Sequence, residues 1–291
     1  MCFELDEGLA RYSLEKRGAP LISLSRLGFQ FRDAPPLDRG LSVKSVSRLE
    51  HDELWKQPWG ECEWVRDLHN ELRVELEDRD ARRLILVFRL FNDGLGFRYE
   101  LPEQKGLADF AIMNEITEFN LAKDAIAWWI PAMDAERYEY LYRNNPVNEI
   151  AKAHTPLTLE SENGLYLSIH EAALTDYASM ALEPAGDYKL KCQLIPWASG
   201  VKVIGKTPFK SPWRTIQVAE TPGELLESNM ILNLNEPSKV EDTSWIEPGK
   251  YVGIWWGMHI GTHTWGSGPK HGATTENAKD YINFAAENGF A

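Results

Sequence analysis

The sequence predicts a mainly β protein: a large all-β domain over residues 1–240, then, over residues 241–291, a linker and a single β–loop–α unit. Three observations carry this. Short apolar runs, several with period-two alternation, recur at roughly regular spacing to about residue 235, with turn residues between them, as in a sandwich or barrel. The stretch from Asn235-Glu236-Pro237 to Pro248-Gly249 carries Pro, Ser, Asp and Glu with little periodicity, the composition of a domain boundary. After it come one continuous apolar run, a loop rich in Gly, His and Thr, and one helical pattern.

Taken in order, Met1-Cys2-Phe3-Glu4-Leu5-Asp6 reads as the inside of a strand, so an upstream segment is expected; it lacks the basic-then-apolar order of a signal peptide. Leu72-Arg73-Val74-Glu75-Leu76 alternates, the mark of a half-buried antiparallel strand. Leu84 to Phe91 and Phe97 to Leu101 flank the turn Asn92-Asp93-Gly94, a hairpin signal, and Pro102 closes the second run. Further strands are expected at Ile126 to Ile130, Leu165 to Ile169, Lys189 to Ile195, Thr215 to Val218 and Ile231 to Leu234. Short helices are expected near Asp52 to Lys56, Asn144 to Lys152 and Pro222 to Glu227. Tyr251 to Trp256 suits a strand buried on both faces. Thr274 or Thr275 and Glu276 then open a helix whose Ala278, Tyr281, Ile282 and Ala285 share one face, and Gly289 caps it. A parallel strand needs a neighbour reached through a crossover, so this end reads as the first unit of a larger α/β domain.

Of the 291 residues, 43% are hydrophobic and 26% charged, an ordinary globular composition with enough apolar side chains for a sizeable core. The net charge of −13 argues against nucleic acid and anionic membranes as partners and suits a neutral ligand or a cation. No apolar run approaches the roughly 18 residues that a membrane-spanning helix needs, so no membrane insertion is expected. Cys2, Cys62 and Cys192 are scattered and odd in number, giving neither a disulfide framework nor a zinc spacing. Most of the eleven Trp are expected in the core; stacking on sugar rings is their other use.

His259 and His263 have the spacing of a helical metal pair, but Gly257 and Gly261 break a helix there, so zinc is not expected. If a barrel follows, the loop after its first strand faces the active site, which makes Trp256, Met258, His259 and Trp265 candidate substrate-binding residues; loop packing is the plain alternative. Trp128 to Tyr142 is dense in aromatics and acids. That suits a sugar or calcium edge, although spacing alone favours a solvated acidic loop beside core aromatics, since calcium takes about six to eight oxygens. His170-Glu171 falls near a strand end and reads first as a hydrogen-bonded terminus. The Gly-rich turn Asn92 to Gly96 precedes a strand and not a helix, so it is no dinucleotide fingerprint.

Several blocks together resemble glycoside hydrolase family 97, the calcium-dependent α-glucosidases and α-galactosidases of bacterial polysaccharide utilisation. They are Pro58-Trp59-Gly60-Glu61, Asn70-Glu71-Leu72, Arg89 to Tyr99, Gly164 to Ala173, Thr207-Pro208, Pro212-Trp213-Arg214-Thr215, Leu232 to Pro237, Lys250 to Trp256, and His271 with Phe284 to Phe290. The resemblance implies an N-terminal β-super-sandwich of the galactose-mutarotase type and the first strand and helix of a (β/α)₈ catalytic barrel. The rest of the barrel and a small C-terminal β domain would belong to the parent protein. It also implies that the catalytic carboxylates lie on later barrel strands and that the sandwich donates one Glu to calcium from a Glu-Tyr-x-Tyr motif. Glu139, in Glu139-Tyr140-Leu141-Tyr142, fits that motif; the spacing from Pro131 is one residue long, which leaves Glu136 as a substitute. An α-linked oligosaccharide or glycoside would be the substrate, and the compartment would be periplasmic or secreted. Whether the parent retains or inverts depends on the separation of its two carboxylates. Two readings compete: a stand-alone carbohydrate-binding sandwich, and a mutarotase-like epimerase with His170 and Glu171 as its acid–base pair.

Overall fold

The computed structural model describes residues 1–132 and 140–291. It divides into two compact units, Met1–Pro237 and Ser238–Ala291.

The strands of the first unit are β1 (Cys2–Asp6), β2 (Leu9–Lys16), β3 (Ala19–Arg26), β4 (Phe29–Phe31), β5 (Ser42–Lys56), β6 (Trp64–Glu77), β7 (Arg83–Phe91), β8 (Gly94–Leu101), β9 (Asp109–Glu115) and β10 (Glu118–Asn120). They continue as β11 (Ala125–Trp129), β12 (Arg143–Pro146), β13 (Ala153–His154), β14 (Leu157–Ser161), β15 (Tyr166–Ala172), β16 (Met180–Pro184), β17 (Lys189–Leu194), β18 (Val203–Lys206), β19 (Phe209–Lys210) and β20 (Trp213–Ala219). Two short helices follow, α1 (Pro222–Glu227) and α2 (Met230–Asn233). The largest sheet runs β12-β11-β14-β15-β20-β8-β7-β6-β5, with β19 also on β8. Three smaller sheets, β1-β2-β3, β18-β9-β4 and β10-β17-β16-β13, share one apolar core with its inner face. Tyr12 meets Phe97 with ring centroids 4.8 Å apart, and Phe29 meets Tyr99 at 4.5 Å. Alternation sorts the large sheet: Phe97, Tyr99 and Leu101 of β8 point into this core, and Arg98 and Glu100 point to the outer face.

The expected β7–β8 hairpin forms around Asn92-Asp93, with Phe91 opposite Gly94. Three local expectations give way to tertiary pairing. Asp52 to Lys56 is strand and not helix, because β5 pairs with β6 without a break from Ser45↔Glu75 to Lys56↔Trp64. Asn144 to Lys152 splits at Pro146 into the end of β12 and one 3₁₀ turn, Val147–Glu149. Ile231 to Leu234 is helical because Met230 and Leu234, one helical turn apart, cover Gly94 and Gly96 on the outer face. A Cβ on Gly96 would lie 2.6 Å from Leu234 Cδ1, and one on Gly94 would lie 2.8 Å from Met230 Sδ. Asn233 fixes the helix further, accepting from Trp55 Nε1 at 2.8 Å and donating to the Arg66 carbonyl at 3.0 Å.

The second unit holds α3 (Trp255–His259) and α4 (Thr275–Asn288). The end helix follows its sequence signals: Thr274 Oγ1 accepts from Asn277 N at 3.2 Å, and Gly289 ends it at φ 65°. The strand expected at Tyr251–Trp256 does not form. Strands need lateral partners, and here Val252 N and the Lys250 carbonyl bond instead to Ala291. Gly257, expected to break a helix, lies inside α3, where a side chain would press on His263. Trp255, Trp256, Ile260, Ile282 and Phe284 are exposed. Exposed apolar area of this kind drives association. The chain is therefore expected to show a mass that rises with concentration in light scattering; a dilution-independent monomer would contradict this.

Candidate functional site

Two consecutive residues of β20 organise the polar interior and the outer face of the sandwich. Arg214 points inward and is fully buried. Its Nε and Nη2 donate to the two Glu115 oxygens at 2.8 and 2.6 Å, and its Nη1 donates to Glu171 at 2.5 Å. Glu115 also accepts from Thr117 Oγ1 and from the Tyr177 hydroxyl, each at 2.7 Å. Glu171 accepts from Met180 N at 3.1 Å. Burial opposes the charge on Glu115, but Arg214 and these donors outweigh it and hold the carboxyl below its ordinary range. At Glu171 burial prevails over Arg214, and its pKa is raised. The group ties β20 and β15 of the large sheet to β9 and β16 of two smaller ones. It is a sealed brace with no room for substrate.

Trp213 points the other way. Two guanidinium groups lie over its ring, Arg98 at 4.4 Å and Arg89 at 4.9 Å from the centroid. Arg89 pairs with Glu71 at 2.9 Å, while Arg98 and Arg73 share Glu100 at 2.8 and 2.6 Å. Burial opposes ionisation of Glu100, yet Arg73 and Arg98 together hold its pKa low. Farther along, Asp67 lies 2.6 Å from His69 Nδ1 and 3.5 Å from His51 Nε2. Burial lowers the His69 pKa despite Asp67. These groups form a charge-balanced strip that suits a structural or docking role.

Of the predicted substrate residues, Trp256 and His259 are brought together on α3, with ring centroids 6.2 Å apart. Met258 lies half-buried in the same turn, and Trp265 is exposed in the loop beyond. The proposed calcium ligand Glu139 and its substitute Glu136 lie outside the described residues. Among the described residues no group of three or more His, Cys, Asp or Glu could hold a metal ion, and His259 with His263 makes none. The His170–Glu171 acid–base pair does not form. The two are successive residues of β15, which places their side chains on opposite faces. His170 Nδ1 lies 3.0 Å from Thr155 Oγ1, and Glu171 is committed to Arg214. Sequence reasoning missed the brace itself: Glu115 and Arg214 are 99 positions apart, and neither carries a local signal.

Residues 1–237 match the family model described as Glycosyl-hydrolase 97 N-terminal, and residues 255–291 match the one described as Glycoside hydrolase 97. The chain is similar to a protein of Bacteroides thetaiotaomicron named "Retaining alpha-galactosidase", 22% identical over 314 residues, covering 96% of this chain and 45% of that protein. It is similar to a Streptomyces bingchenggensis protein named "Probable retaining alpha-galactosidase", 29% identical over 97% of this chain and 42% of the other. A solved structure of a Glycoside Hydrolase Family 97 enzyme from Pseudoalteromonas sp. strain K8, in complex with panose, matches with a TM-score of 0.88 and 45% identity. That match covers 99% of this chain and 44% of the solved one. The chain thus spans less than half the length of these relatives.

Proposed function

The chain belongs to glycoside hydrolase family 97, and from that membership we propose that it is the sandwich-bearing part of an enzyme that hydrolyses α-glucosidic or α-galactosidic bonds. The observation that carries this is the match of two successive family models, in order, to residues 1–237 and 255–291. Relatives named as retaining alpha-galactosidases, and a 45% identical enzyme solved with panose, support an α-linked sugar as substrate. In this reading the general acid and the nucleophile or base come from barrel segments of a longer protein. Residues 241–291 form the linker and the opening of that barrel, and Trp256, Met258, His259 and Trp265 contribute part of the substrate wall. A periplasmic or secreted location accompanies the reading. Among the described residues no helix is long and apolar enough to cross a membrane.

Calcium belongs to the proposal at the level of one ligand, Glu139. Calcium takes about six to eight oxygens, and the described residues offer no cluster to complete a site. The ion would therefore need oxygens from beyond the described residues.

The test compares the 291-residue chain with a protein extended to the length of the relatives, on p-nitrophenyl α-galactoside and α-glucoside. The long form is expected to turn over at an ordinary enzyme rate, of order 1–10³ s⁻¹, and to lose activity to a calcium chelator. The short chain is expected to be inactive and to show no calcium-dependent rise in melting temperature. Turnover by the short chain at an enzyme rate would sink the proposal.

A further inference from the structure

We propose that the sandwich carries a separate saccharide-binding platform, built on Trp197, for a neutral chain of hexopyranose units. The proposal deepens the reading above by adding a sugar contact, and it rests on that reading only for the choice of probes, an α-glucan and a polysaccharide with α-linked galactose branches. Trp197 sits in the connection between β17 and β18, and 68% of its surface is exposed. A large indole held in water on a folded domain is costly unless something covers it.

Its backbone is fixed. Trp197 N donates to the Val201 carbonyl at 2.8 Å, and Gly200 N donates back to the Trp197 carbonyl at 2.8 Å. On either side of the turn, Ile195 N bonds to the Ser179 carbonyl at 3.1 Å and Lys202 N to the Ile112 carbonyl at 2.9 Å. The ring is therefore presented by a closed turn pinned at both ends, and little conformational freedom is left to lose on binding.

Trp197 lines a cleft of about 430 Å³ together with the segment Asp176 to Ser179 and with Lys202, whose ammonium is turned to the Leu194 carbonyl at 3.0 Å. The Asp176 to Ser179 segment is anchored from behind, because Tyr177 donates its hydroxyl to Glu115 in the buried brace. Asp176 and Ser179 are exposed at the rim, where a carboxylate and a hydroxyl can meet sugar hydroxyls. Exposed Ile204 continues the apolar floor. Asp176 and Ile204 also line a neighbouring cleft of about 570 Å³, which brings in the carboxylates of Asp33 and Asp109. Each volume falls within the roughly 300–1,000 Å³ of small-molecule sites, and together they suit a chain of units. An aromatic face beside carboxylate and hydroxyl groups matches a pyranose, which has an apolar face of C–H bonds and an equatorial rim of hydroxyls. The net charge of −13 disfavours an anionic ligand in this position and does not oppose a neutral one.

The test is affinity electrophoresis of the 291-residue chain in native gels containing soluble starch or guar galactomannan, with a non-binding protein as the mobility standard. Retardation in at least one gel is expected. Trp197→Ala is expected to weaken it at least tenfold, Trp197→Phe to retain most of it, and Asp176→Asn to weaken it severalfold. The Trp197→Ala melting temperature should match the wild type, since the ring is outside the core. Absence of retardation in both gels, or equal retardation of wild type and Trp197→Ala, would overturn the platform. A fall in oligomeric mass on Trp197→Ala without polysaccharide binding would also overturn it, marking the cleft as a protein contact. Hydrolysis by the longer protein is read separately. Activity with no Trp197 effect sinks only the platform; polysaccharide binding without activity sinks only the hydrolase reading.

Discussion

Arg214→Ala is expected to cost the sandwich about 3–5 kcal/mol, the usual loss when one partner of a buried ion pair is removed. The loss is large because two carboxylates remain. Glu115 and Glu171 would stay inside the sheets with no cation between them. Against a total stability of roughly 5–15 kcal/mol this is about a fifth or more of the fold, and it should appear as a large drop in the guanidinium midpoint. Glu171→Gln is expected to cost less, because burial already disfavours its ionised form. The pH dependence separates the two acids. The pKa of Glu115 is depressed in the folded state, so its contribution is present above the unfolded pKa and is lost as pH falls through the folded one. That of Glu171 is raised, so the folded state binds its proton more tightly, and stability falls as pH rises from the unfolded pKa through the folded one. Glu171→Gln should flatten that fall and leave the acid limb of Glu115 in place. A loss below about 1 kcal/mol for Arg214→Ala would show that the brace is not a net support.

Trp213→Ala is expected to cost about 3–5 kcal/mol as well, by a different route. The indole is almost fully buried and packs with Ile85, Val87, Phe91, Met230 and Leu234 under α2. Its removal opens a cavity on the outer face and takes the ring away from Arg89 and Arg98. Those guanidinium groups would lose the ring they share and keep only their carboxylate partners, Glu71 for Arg89 and Glu100 and Glu236 for Arg98. Trp213→Phe should recover more than half of the loss, since it restores a ring. The check is again the denaturation midpoint. A Trp213→Ala protein as stable as the wild type would mean that α2 closes the cavity by moving.

The legible parts of this fold are those whose signal is local. The β7–β8 hairpin is written in Asn92-Asp93-Gly94 between two apolar runs, and α4 is written in Thr274, its 3.6-residue apolar spacing and Gly289. Elements set by distant partners misled the reading. Asp52 to Lys56 has no strand signature of its own, and becomes strand because β6 offers it a ladder. Ile231 to Leu234 looks like a short apolar strand, and becomes helix because Gly94 and Gly96, well over a hundred residues earlier, leave hollows at helical spacing. The polar interior was illegible for the same reason. Glu115, Glu171 and Arg214 are unremarkable charges in sequence and meet only because β15 pairs with β20 and the sheet of β9 stacks on them. His170-Glu171 shows the converse error, since adjacency in a strand separates side chains that adjacency in sequence appears to join.

The back-to-back placement of Trp213 and Arg214 also acts as a check on assembly. A slip of β20 by one residue against β8 or β15 would exchange their faces. The indole would then enter the space between two carboxylates, and the guanidinium would arrive beside two others of its own charge. Both errors are penalised at once and in the same direction. Misregistered sandwiches are thereby denied a low-energy resting place, and the dipeptide acts as a two-sided key that turns in one position only.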